Sequence, residues 1–323
     1  MDIEVLTWRE LVKKVGSRRL ADNALVEGLW WRVLRDAYVE WFHDDTPAVR
    51  VSALRKVLPP DVALSGRAAL WALGVDVLSK TGELDVTSPR GRHLERRPGV
   101  VPHIAALPDS ELCEANGLLL VSAARAFVDV ARRESLTEAV AFGDAVLRSG
   151  AGTLDQFRES LDSARGLRNV TAARAVVPHL EPRSESLMES RLRMKLVLGG
   201  LPRPEAQFDM YDEHGVHAGR GDLHIDGVVL EYDGREERLK KSRFNADRRR
   251  RSRIAELGLE IREFTAADVY VRSSVSLCAE VLRAIQVAKG RDRRRLCSGR
   301  DTLPAPRLRP LMTRADVERP HAA

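Results

Sequence analysis

GRGDLHIDGVVLEYDG, Gly219 to Gly234, sets two short apolar-alternating runs on either side of Asp226-Gly227. An Asp-Gly pair between such runs signals a two-residue hairpin turn. Counting outward, Ile225 faces Val228, His224 faces Val229, Leu223 faces Leu230, Asp222 faces Glu231, and Arg220 faces Asp233. Side chains alternate with period two. Arg220, Asp222, His224, Val229, Glu231 and Asp233 then share one face, and Leu223, Ile225, Val228, Leu230 and Tyr232 the other. Two carboxylates oppose each other and a third lies one pair along. At roughly 5 Å and an effective dielectric of about 20, the repulsion is on the order of 3 kcal/mol per pair. Two readings fit. A hard divalent cation with oxygen ligands cancels the charge, or the face is solvated and Arg220 partly neutralises it.

Outward from the hairpin, Ala206–Tyr211 reads as a preceding strand and Leu259–Phe264 as a closing one. Ser186-Leu187-Met188-Glu189 has the capping-box form and opens a helix over Leu187–Leu198. Glu189 therefore has two roles open to it: binding its own backbone, or turning toward the hairpin. Arg235–Arg253 holds ten Lys or Arg against Glu236, Glu237 and Asp247. That run is either a surface for DNA phosphates, with Arg248, Arg249, Arg250 and Arg251 near its C-terminal end, or a solvated helix face. Thr265 caps a last helix expected to reach Lys289, and an Arg- and Pro-rich tail follows over 290–323, expected to be disordered.

On these motifs, a domain expected over residues 184–289 resembles, over about Ser184–Arg272, the PD-(D/E)XK nuclease superfamily, in the branch similar to very-short-patch-repair endonucleases. The resemblance implies a restriction-endonuclease-like α-βββ-α-β domain. It further implies a metal site of Glu189, Asp222, Glu231 and Asp233 for Mg²⁺ or Mn²⁺. Catalytic roles would fall to Asp222, Glu231 and Asp233, with Lys240 or Lys241 orienting substrate. Two departures stand out. Asp233 occupies the usual place of a Lys, and Arg235-Glu236-Glu237 follows where that branch often has a His.

Residues 1–45 read as two short helices and a hairpin. Thr7-Trp8-Arg9-Glu10 opens the first helix, Gly16 stops it, Ser17 caps the second, and Leu29–Glu40 forms a wing. Trp8, Trp30, Trp31 and Trp41 are expected to be its core. Arg18 and Arg19, at the start of the second helix, either touch DNA phosphates or are plain surface cations. Residues 46–165 are a mixed α/β section: a helix over Ser65–Leu73, strands over Glu83–Thr87 and Val100–Ile104, and helices over Leu120–Arg132 and Leu136–Arg148. Arg125 and Asp129 form an i,i+4 pair. Residues 166–183 read as a linker. The first 165 residues resemble AbiEi-type antitoxins of type IV toxin–antitoxin systems, with a reduced winged helix at the N-terminus. That implies DNA and a toxin encoded nearby as partners.

The whole chain is therefore expected to be α/β (α+β). Its 323 residues carry a net charge of +6, which favours an anionic partner such as nucleic acid. Cys113, Cys278 and Cys297 are odd in number and far apart, which suggests neither a disulfide framework nor a zinc site and fits a reducing cytoplasm. Asp2 and Glu4 stand where a signal peptide has its basic region, and no apolar run is long enough to span a bilayer, so no membrane role is expected. The expected function is Mg-dependent hydrolysis of DNA phosphodiester bonds. The alternative is a non-catalytic DNA-binding regulator or antitoxin on a degenerate nuclease fold.

Overall fold

The computed structural model describes residues 3–77, 83–96, 98–115, 117–212, 214–233 and 250–290. Lys240, Lys241, Arg248, Arg249 and the tail over 291–323 lie outside the described residues. The chain forms two compact units with mixed helices and strands, an α+β architecture. The first unit takes residues 1–132 and 149–170. The second takes 133–148 and 171 onward.

In the first unit, α1 (Trp8–Val15) starts at a full capping box between Thr7 and Glu10 and ends at Gly16 with φ 100°. Ser17 caps α2 (Arg18–Val26). The wing is β1 (Trp30–Leu34) against β2 (Ala37–Glu40). Leu6, Leu11, Ala21, Ala24, Trp30 and Tyr38 form its small core, with Trp8 packed alongside. Trp41 does not join them. It is 67% exposed, because it follows the last paired strand residue and has no opposing layer.

Next come α3 (Pro47–Val57), capped by Thr46, and the short strand β3 (Ala63–Leu64). After α4 (Gly66–Ala72), β4 (Leu84–Ser88), β5 (Val100–Ile104), β6 (Leu112–Ala115) and β7 (Leu118–Val121) complete a sheet ordered β5-β4-β3-β7-β6. Here the sequence-based expectation fails at one point. Leu120 lies in a buried strand, and the helix after it, α5 (Ala123–Ala131), begins only after the cap Ser122. A short apolar run suits a buried strand or a helix equally, and pairing of Leu120 with Leu64 decides for the strand. α7 (Leu154–Ser163) brings Phe157 onto Phe127 with ring centroids 4.0 Å apart.

The wing is built into this unit. α3 packs on β1 and β2, and Leu34, Leu54 and Val86 line one small cavity. Deleting residues 1–45 is therefore expected to abolish the cooperative unfolding of the first unit while sparing that of the second. Calorimetry reads both, and an unchanged first transition would make residues 1–45 a separate domain.

The second unit begins with α6 (Leu136–Ser149), followed after the gap in sequence by α8 (Val170–Val176) and α9 (Leu187–Leu198). The meander β8 (Glu205–Tyr211), β9 (His217–Ile225) and β10 (Val228–Tyr232) comes next. α10 (residues 250–256) then leads to β11 (Glu260–Phe264), parallel to β10, in the order β11-β10-β9-β8. The single closing helix expected after Thr265 is two: α11 (Ala266–Val271) and α12 (Ser274–Lys289). Arg272 turns extended and Ser273 opens a new cap, its hydroxyl accepting the Ser276 N–H.

The hairpin turn has φ +47° at Asp226 and +83° at Gly227, the mirror-image geometry that an Asp-Gly pair suits. The register is Ile225–Val228, His224–Val229, Leu223–Leu230. Its two faces separate as counted. Leu223, Ile225, Val228 and Leu230 enter the core shared with α9 and α12, whereas Val229 packs with Phe208, Met210, Ile254 and Leu259 on the side of α10.

Candidate functional site

Beyond Leu223–Leu230 the ladder opens. In a continued antiparallel pattern the Tyr232 N–H would bond to the Gly221 carbonyl. The Asp222 carboxylate takes it instead, Oδ2 at 2.8 Å. Gly221 permits the bend, since a Cβ there would stand 2.3 Å from Val229 Cγ1. The turn's other end is closed by His224, which stacks on Phe208 and accepts the Gly227 N–H on Nε2.

Glu189 projects from the first turn of α9 and is buried. Ser186 caps the helix through the Glu189 N–H, but the Glu189 carboxylate does not return to the Ser186 backbone. Its Oε2 accepts the Glu185 N–H and the Gln207 side-chain amide, each at 2.9 Å. Gln207 reaches it from a backbone at φ +53° inside β8, a conformation unusual for a non-glycine residue. Glu189 is thus turned toward the sheet, and nothing in the sequence around Gln207 signals this contact.

The carboxylates feel one another. Burial and then the Asp222 charge push Glu189 up to about 7. Burial also pushes Asp222 up; the Tyr232 N–H and Arg250 act against it, and Glu231 and Glu185 with it. Glu231 Oε1 lies 2.6 Å from Arg250 Nη2 but outside hydrogen-bond alignment. Asp222 on β9 thus feels the charge of Glu231 on β10, and Glu189 on α9 that of Asp222. Among the described residues, no set of three His, Cys, Asp or Glu stands close enough to ligate one ion by itself.

Asp233 is half-buried, and its N–H extends the pairing with β11 through the Phe264 carbonyl at 2.8 Å. Arg220, expected opposite Asp233, pairs with Asp209 at 2.8 Å and lies 3.7 Å from Glu185. Arg251 pairs with Glu263. Arg18 and Arg19 are exposed on α2, in the first unit.

No family model matches the chain. Over 195 residues, 60% of its length, it is 30% identical to uncharacterized protein Rv2248 of Mycobacterium tuberculosis strain ATCC 25618 / H37Rv, covering 71% of that protein. Uncharacterized protein MT2308 of strain CDC 1551 / Oshkosh matches with the same figures. The chain belongs to this family. Among solved structures, the crystal structure of RV2827C protein from Mycobacterium tuberculosis is similar with a TM-score of 0.38 at 17% identity. That match covers 58% of this chain and 74% of the other, a likeness too small to carry an argument. Among the described residues no helix is long and apolar enough to cross a membrane.

Proposed function

We propose that the second unit is a Mg²⁺- or Mn²⁺-dependent DNA endonuclease-like domain of the PD-(D/E)XK kind, acting in the cytoplasm. The observation that carries this is the coupling of Asp222 by charge to both Glu189 and Glu231, with Glu189 and Asp222 held toward protonation by burial and by a neighbouring carboxylate. A divalent cation relieves that condition. The residues fit Mg²⁺ as a partial site, because this ion commonly takes one or two protein carboxylates and completes its shell with water and substrate phosphate. Asp222 and Glu231 would hold it, with Glu189 and Asp233 beside them. The bound ion would supply a water of lowered pKa and charge neutralisation at the phosphate under attack. The chain's own part is orientation: the Tyr232 N–H aims Asp222, and Gln207 with the Glu185 N–H aims Glu189. The helix–meander–helix–strand order and the positive net charge support the same reading.

A second reading is favoured by Arg250 beside Glu231 and by Asp233 in the place of a Lys. In it, the domain is a DNA-binding regulator or antitoxin that does not cleave.

Thermal melting separates the two. Mg²⁺ or Mn²⁺ at millimolar concentration is expected to raise the Tm of the wild type, since a ligand stabilises only the state that binds it. Asp222→Asn and Glu231→Gln should lose that rise together with any cleavage of duplex or single-stranded DNA. DNA binding with no metal response in any of the three proteins would leave the regulator reading standing alone.

A further inference from the structure

Arg250 reaches into the carboxylate site from α10. Its guanidinium lies 2.6 Å from Glu231 Oε1 and donates to the Arg220 carbonyl. It also acts on Asp222 by charge. The side chain passes over Gly219, where φ is +155° and an added Cβ would meet Arg250 Nε at 3.2 Å. A glycine at that point gives the arginine its path across β9. One cationic head thus serves two acids that would otherwise repel each other.

A guanidinium stays charged at every working pH and only donates. A divalent cation at Asp222 and Glu231 would face a like charge within a few ångström, and such proximity costs more in a half-buried site than in water. We infer that Arg250 is a resident counter-ion of this site and that a divalent cation enters only as Arg250 leaves it. The inference rests on the cation reading above. It adds a trigger: a phosphate backbone offers the guanidinium a planar, bidentate partner, so substrate draws Arg250 off and opens the place it held.

The test is the Mg²⁺ concentration at which the Tm rise is half complete, measured on the full chain. Arg250→Gln is expected to lower that midpoint about tenfold, as one competing charge is removed. Arg283→Gln, an exposed cation on α12 of the same unit, should leave it unchanged. A short duplex DNA should lower the midpoint of the wild type and have little further effect on Arg250→Gln. If Arg250→Gln does not fold, Arg250→Lys, which keeps a charge but loses the planar fork, should shift the midpoint in the same direction by about threefold. Equal midpoints in wild type and variant, or a higher one in the variant, would overturn the counter-ion role and leave the cation site in place. No Mg²⁺ response in either protein would remove the cation site and this inference with it.

Discussion

Asp144→Ala is expected to cost the second unit about 3–5 kcal/mol of stability, the loss typical when one partner of a buried ion pair is removed. Asp144 on α6 and Arg193 on α9 are both fully buried, with Oδ2 and Nη2 at 2.7 Å. The same Oδ2 accepts the Ser190 hydroxyl, and Oδ1 accepts the Glu181 N–H at 2.6 Å. Arg193 Nη1 donates to the His179 carbonyl, and its Nε has no hydrogen-bond partner among the described residues. Without Asp144 the guanidinium stays buried and uncompensated. The double variant Asp144→Leu, Arg193→Met should recover most of the loss, because desolvating the pair offsets much of its attraction. Urea unfolding monitored on the second unit measures both. A loss under about 1 kcal/mol in the single variant would show that water reaches the site. One corollary concerns dissection of the chain. A fragment starting at Ser184 lacks α6, so it should fail to unfold cooperatively, while one that keeps α6 should succeed.

The second large effect concerns Glu189 and pH. Its carboxyl stands at about 7 in the folded chain against an ordinary 4.5. That gap corresponds to about 3 kcal/mol, taking about 1.36 kcal/mol per pH unit. Below pH 4.5 both folded and unfolded chains hold the proton, and the group has no effect. Between 4.5 and 7 the unfolded chain releases it first, so stability falls as pH rises. Above 7 the full penalty applies. Glu189→Gln should therefore be more stable than the wild type at pH 8 and equal or less stable at pH 4, with a flatter profile between. A residue serving only as a helix cap would give the opposite at high pH, a loss on replacement. Denaturant melts at several pH values decide this, and Mg²⁺ at pH 8 should stabilise the wild type far more than the variant.

Much of the second unit was legible in the sequence. Ser186 and Gly199 bracket α9 at Leu187–Leu198, and Asp226-Gly227 sets the turn from which three residue pairs and two faces follow by counting. Capping boxes at Thr7 and Thr265 start α1 and α11. These signals work because a cap or a tight turn is satisfied by residues within four positions of one another. The candidate site was legible only in its membership: Glu189, Asp222 and Glu231 were visible as acids, but not how each is held.

Residue order alone determined the starts of α1, α2, α6, α9 and α11, the three-pair register at the hairpin turn and the list of acids. The tertiary structure decided what depended on distant partners. Leu120 became a strand because Leu64 lay free to pair with it. α6 joined the second unit because Asp144 meets Arg193 there, 49 positions on. Glu189 left its own backbone because Gln207 offered an amide from β8, and Arg250 reached Glu231 across Gly219. In each case a buried polar group or apolar surface had to find its complement somewhere in the folded chain, and neighbouring residues carry no record of where that complement lies.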